Sequence, residues 1–119
     1  MNINHMHLEV GSVERAKRFY QRFFGLEESV RHGDILFMRD GAGMDLALAP
    51  ASEAVSPPSW FHFGFRLETP AEVERLYGKL IEAQAPMRQA LGREDDLVWF
   101  RCLDPDGYEI DVYWEPQPS

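Results

Sequence analysis

Residues 3–26, INHMHLEVGSVERAKRFYQRFFGL, return in outline at residues 60–83, WFHFGFRLETPAEVERLYGKLIEA. At that offset of 57, His5 falls on His62, Leu8 on Phe65, Val10 on Leu67, Ser12 on Thr69, Arg18 on Arg75 and Tyr20 on Tyr77. Self-similarity over a long spacing marks a chain built from repeated modules, and each copy takes up about half of this one. Both copies read as a strand followed by a helix. In the first strand Met6, Leu8 and Val10 alternate with His5, His7 and Glu9; in the second Phe61, Phe63, Phe65 and Leu67 alternate with His62, Gly64 and Arg66. Ser12 and Thr69 stand where a hydroxyl can accept from the unpaired amides of a first helical turn, and Pro70 and Glu72 add a first-position proline and a capping-box acid. Apolar residues then recur at helical spacing, Val13, Ala16, Phe19, Tyr20 and Phe23 in one copy and Val73, Leu76, Tyr77 and Leu80 in the other, with Gly25 as a stop signal. Tyr20 and Tyr77 are expected to be packing residues.

Each helix is followed by short strand-like runs separated by turn signals. The first copy has Ile35 to Arg39, a turn at Asp40-Gly41-Ala42-Gly43, then Met44 to Ala49. The second has Leu97 to Leu103, a turn at Asp104-Pro105-Asp106-Gly107, then Tyr108 to Trp114. A further short strand is expected near Glu27 to Val30 and near Met87 to Ala90. The Ser-, Pro- and Ala-rich segment 51–59 reads as a linker. The expected organisation is thus one α+β domain of two βαβββ modules, about 1–50 and 60–116, each a helix covering one face of a small sheet.

The whole chain has 119 residues, and 45% of them are hydrophobic, which suffices for a single core. Its formal charge of -8 works against a phosphate backbone or an anionic lipid surface. No nucleic-acid or membrane partner is therefore expected, while cationic small molecules and metal ions suit the balance. One cysteine, Cys102, excludes an internal disulfide framework and a cysteine zinc cage and points to a reducing compartment, the cytoplasm. The N-terminus shows no signal-peptide pattern, and no stretch approaches the roughly 20 apolar residues of a membrane-spanning helix.

Strand parity selects the candidates for chemistry. If the apolar strand faces pack on the helices, His5 and His62 share the opposite faces with the carboxylates of the last strands. Met44-Asp45-Leu46 and Ile110-Asp111-Val112 look like a second matched pair, at an offset of 66. Two neutral imidazoles with one or two carboxylates suit a divalent first-row metal and leave open positions for water and substrate. The competing expectation is a solvated polar strand face, which is the commoner fate of such residues. His7, Glu9, Arg66, Glu109 and Tyr113 fall on the same faces and are candidates for substrate binding; Glu9 with Arg66 as a structural ion pair is the alternative for those two. Trp60 and Trp99 are expected in the core rather than in a pocket wall.

These residues resemble the vicinal oxygen chelate superfamily, which includes glyoxalase I, extradiol dioxygenases such as the dihydroxybiphenyl dioxygenases, and fosfomycin- and bleomycin-resistance proteins. The resemblance spans essentially the whole chain and rests on INHMHLEVGSVERAKRFYQRFFGLE, WFHFGFRLETPAEVERLYGKL and, most specifically, FRCLDPDGYEIDVYWEP. It implies two βαβββ modules whose curved mixed sheets form a metal-binding funnel. It also implies a divalent ion, Ni, Zn, Mn or Fe, held by His5, His62 and Asp111, with Asp45 as the fourth ligand and the two aspartates in catalytic positions. The family usually carries Glu where Asp111 and Asp45 stand, and Asp is shorter by one carbon, roughly 1.5 Å. The implied function is a metal-dependent lyase or isomerase of the glyoxalase kind, or an extradiol-type dioxygenase, acting on a small molecule as a homodimer. The alternative is a metal-free protein that sequesters a drug or metabolite. The segment 89–96 is expected to be a loop that contacts the substrate.

Overall fold

The chain begins with β1, His5–Val10, whose alternation buries Leu8 and Val10 and leaves His5, His7 and Glu9 exposed. Helix α1, Val13–Phe24, follows directly: the Ser12 hydroxyl accepts from the Arg15 amide at 3.2 Å, and Gly25, at φ 67°, ends the helix with its N–H on the Tyr20 carbonyl. A left-handed C-terminal residue is glycine's natural place, since other side chains crowd the backbone there. Strands β2, Glu27–His32, β3, Ile35–Arg39, and β4, Asp45–Pro50, complete the first module. Its sheet runs β1-β4-β3-β2, with β1 parallel to β4 and the other pairs antiparallel. Helix α1 packs on β3 and β4. Leu8, Val10, Ala16, Tyr20, Leu36, Met38, Leu46 and Leu48 are buried, each leucine contributing about 1.5–3 kcal/mol of burial free energy.

The second module repeats the plan with β5, His62–Arg66; α2, Pro70–Glu82; β6, Met87–Glu94; β7, Leu97–Leu103; and β8, Glu109–Trp114. Its sheet runs β5-β8-β7-β6, again with the outer pair parallel. Thr69 caps α2 by accepting from the Glu72 amide at 3.2 Å, while the Glu72 carboxylate reaches one residue further back than a capping box requires, to the Glu68 amide. Helix α2 packs on β7 and β8, burying Val73, Leu76 and Leu80 against Val98, Phe100, Ile110 and Val112. Tyr20 is fully buried and the Tyr77 ring lies 5.2 Å from that of Phe100, so both serve packing as expected.

The structure, a computed structural model, describes residues 1–117. These fall into two compact units, Met1–Ser56 and the chain from Pro57 onward. Each has the βαβββ organisation and mixed sheet read from the sequence, so the α+β class holds. The segment 89–96 departs from expectation: residues 89–94 belong to β6, an edge strand that stays paired to β7 across two register shifts. Its polar, non-alternating sequence hides the strand, because an edge strand with irregular register has no steady inward face. Among the described residues, no helix is long and apolar enough to cross a membrane.

Candidate functional site

The two hairpin turns position every carboxylate of interest, and they are built alike. Asp40 Oδ1 accepts from the amides of Ala42 and Met44, both at 2.8 Å, and Asp104 Oδ1 accepts from those of Asp106 and Tyr108, both at 2.9 Å. Gly43 and Gly107 close the turns at φ 92° and 90°. The turns therefore superpose at an offset of 64, not 66, and the residue equivalent to Asp45 is Glu109. Sheet register says the same: His5 is paired with Asp45 across β1 and β4, and His62 with Glu109 across β5 and β8. Matching Asp45 with Asp111 by local likeness was two residues out. Asp111 instead corresponds to Ala47, one full pleat further along its strand.

In the first unit a polar row crosses the sheet through His5, Asp45, Arg39 and Glu27. Arg39 donates from Nε to Asp45 Oδ1 at 2.8 Å and from Nη2 to Oδ2 at 3.5 Å. This guanidinium, with the ring of His5 adding to it, holds the Asp45 carboxyl below its ordinary range, and Arg39 is raised in return. His5 Nδ1 meets Asn4 Oδ1 at 2.9 Å. Exposed His7 sits one row along, opposite Ala47. A cavity of about 420 Å3 opens where the row ends, lined by Glu27, Glu28, Ser29, Arg39 and Asp40 among others.

The second unit carries the denser arrangement. One row holds His62, Glu109 and Leu103; the next Gly64, Asp111, Arg101 and Gln89; the third Arg66, Tyr113, Trp99 and Gly92. Arg101 stands at the centre. Its Nε donates to Asp111 Oδ1 at 2.5 Å and its Nη2 to Oδ2 at 3.1 Å, while its Nη1 reaches Glu109 Oε1 at 3.2 Å. Two parallel bonds to one carboxylate are the guanidinium's strongest mode, and burial of all three side chains, 24% exposed for Arg101, 22% for Asp111 and 11% for Glu109, keeps water from competing. Hydrogen bonding to Asp111 raises Arg101 further above its usual value. Arg88 approaches Glu109 from the rim, at 3.7 Å.

His62 Nε2 lies 3.7 Å from Asp111 Oδ2 although its register partner is Glu109. Gly64 packs tightly beside Asp111: a β-carbon there would stand 3.1 Å from the Asp111 carbonyl oxygen and 3.2 Å from the Asp111 β-carbon, closer than side chains normally approach. Trp99 lies half-buried on this polar face, its indole Nε1 3.6 Å from where a β-carbon of Gly92 would be, and not in the core. Trp60 is 76% exposed, so neither tryptophan is the core residue expected. Arg66 pairs with Glu115, at 3.3 Å from Nη1 to Oε1. Arg101, which the sequence reading did not single out, and Trp99, which it placed in the core rather than in a pocket wall, both lie on this face. The strict alternation of Val98, Phe100 and Cys102 with Trp99, Arg101 and Leu103 was the available signal.

Residues 2–112 match the Glyoxalase/Bleomycin resistance protein/Dioxygenase superfamily. The chain belongs to that superfamily. A curated relative, "Metallothiol transferase FosB" of Shouchella clausii, is 28% identical over 118 residues, covering 93% of this chain and 78% of its own. The solved structure of a possible glyoxalase from Bacillus cereus is 31% identical with a TM-score of 0.81, covering 94% of this chain and 97% of that one. The lactoylglutathione lyase structure from Agrobacterium tumefaciens, at 21% identity and a TM-score of 0.75 over 95% of this chain and 92% of that one, agrees in fold.

Members of the superfamily commonly use a divalent metal, so the fit of these residues to one can be tested on the charges present. Both oxygens of Asp111 and one of Glu109 are engaged by Arg101, and both oxygens of Asp45 face Arg39. A guanidinium does not surrender its proton, so a metal ion competing for these oxygens would sit against a fixed positive charge. Among the described residues no three His, Cys, Asp or Glu side chains cluster so as to hold a metal ion. As arranged within each unit, the donor set does not fit the metal.

Proposed function

We propose that this protein is a metal-free small-molecule-binding member of its superfamily, holding its ligand on the polar sheet face of the second unit. The observation that carries this is the two-bond Arg101–Asp111 pair, which commits the carboxylate at the family's ligand position to an internal partner. The face offers what a recognition surface needs. Trp99 and Tyr113 are paired across β7 and β8, and two polar rows lie beside them, Arg101 with Asp111 and Glu109 with His62, in which one arginine faces two carboxylates. A flat ligand with a polar edge matches that division, since aromatic rows contribute area at little entropic cost and fixed charges contribute orientation. Arg66 belongs to the same row as the two aromatic residues; His7, exposed on β1 of the first unit, is proposed separately as a ligand-contacting residue of that unit.

A second proposal, metal-dependent lyase, isomerase or dioxygenase activity through His5, His62, Asp111 and Asp45, draws on the 3.7 Å His62–Asp111 approach and on the metallothiol transferase relative. Elemental analysis after incubation with Ni, Zn, Mn or Fe(II) and desalting separates the two, combined with fluorescence titration of a panel of planar heteroaromatic compounds. Metal below about a tenth of an equivalent, and quenching that disappears in Trp99→Leu, support the binding function. Near-stoichiometric metal that vanishes in His62→Ala overturns it. Homodimer formation is proposed with either function and is read by light scattering.

A further inference from the structure

We infer that Arg101 is the resident cation of the second unit's site, standing where the superfamily's divalent ion would otherwise be drawn. The inference rests on the metal-free reading above and adds its cause. Glu109 and Asp111 project from one face of β8 one pleat apart, and His62 leans over Asp111 from β5. Imidazole and carboxylate are the donor types a divalent ion favours, although, as Arg101 holds them, no three of them among the described residues cluster so as to bind one. A single guanidinium ties the two carboxylates together instead.

Inheritance from the repeat does not explain the arrangement. By the register that equates Asp45 with Glu109, Arg39 corresponds to Leu103 and Arg101 to Phe37. Each unit thus brings its arginine from a different row of its own hairpin, yet each arginine ends on the aspartate beside the histidine. The remaining rival is reach, since Asp111 is one carbon shorter than the glutamate usual at its position. Charge and reach predict opposite results for two simple variants.

Calorimetric titration of the full chain with Mn2+, Ni2+ and Zn2+ alone provides the test, using wild type, Arg101→Gln, Asp111→Glu and Arg101→Gln/His62→Ala, each verified as folded by circular dichroism. Wild type and Asp111→Glu are expected to show no binding tighter than about 1 mM. Arg101→Gln is expected to bind at least one of the ions about tenfold or more tightly than wild type, and the added His62→Ala change to remove that gain. Metal binding by Asp111→Glu with Arg101 in place would overturn the inference in favour of reach. An Arg101→Gln variant no tighter than wild type would overturn it while leaving the metal-free function standing. Tight, His62-dependent binding by wild type would overturn both. Should Arg101→Gln fail to fold, Asp111→Glu alone still decides between charge and reach.

Discussion

Replacing Arg101 by Gln should destabilise the second unit far more than any other single arginine change in the chain. Three charge-assisted hydrogen bonds are lost, and Glu109 and Asp111 are left as two carboxylates facing each other with little water. Breaking a fully buried ion pair from one side costs about 3–5 kcal/mol. Here a quarter or less of each side chain remains exposed and Arg88 still approaches Glu109, so the expected cost falls to about 2–3 kcal/mol. For a chain of this length that corresponds to a fall in Tm of about 6–15 °C. Differential scanning calorimetry at pH 7 reads it, with Arg39→Gln as the control. The Arg39 side chain is 56% exposed, and its exposed pair with Asp45, contributing at most about 1 kcal/mol, should shift Tm by no more than about 4 °C. Adding Asp111→Asn to Arg101→Gln should recover part of the loss, because one of the two stranded charges disappears. Equal, small effects of the two arginine changes would refute the reasoning.

Three further outcomes follow from other parts of the fold. Glu14 and Glu28 are lowered chiefly by hydrogen bonds from Arg31, with Lys17 adding to the effect. Their stabilisation is therefore complete above the ordinary carboxyl value of 4.5 and is lost as pH falls through the lowered folded values; Arg31→Ala should flatten the acid limb of urea midpoints measured between about pH 3 and 6, and an unchanged slope would contradict it. Burial pushes the Cys102 thiol up to about 12, so a thiol reagent at pH 8 should modify the unfolded chain and leave the native one unreacted over the same minutes. Asp104→Ala removes the acceptor of two turn amides at a residue 4% exposed and should cost about 2–3 kcal/mol in urea unfolding, while losing the register of β8.

What the sequence made legible was periodicity. Alternation in β1 and β8 and the helical spacing of α1 and α2 reflect which face is buried, and burial is written directly into residue type. Register across strands is not, because it is set by how many residues a turn consumes. Met44-Asp45-Leu46 resembles Ile110-Asp111-Val112 as a string, yet the turn that precedes each one begins two residues closer to the first. The two aspartate-led turns, both visible in the sequence as Asp40 to Gly43 and Asp104 to Gly107, carried the correct alignment all along. They fix the start of each last strand through backbone amides, and side-chain likeness further on has no power to shift it.

The same distinction explains why the role of Arg101 is not legible in the sequence. Its alternation on β7 was readable, but its partners lie across the sheet at Asp111 and Glu109, and only register brings them to it. A ligand set named from residue types counts donors and omits whatever cation the fold already supplies to them. In this chain the histidines and carboxylates of the superfamily pattern are present, and each aspartate beside a histidine has been given an arginine from its own hairpin. The guanidinium fixes carboxylate orientation as a metal would, without an open coordination position for substrate. On the proposed reading, a carboxylate already held by an arginine offers orientation and charge to a ligand rather than coordination to a metal.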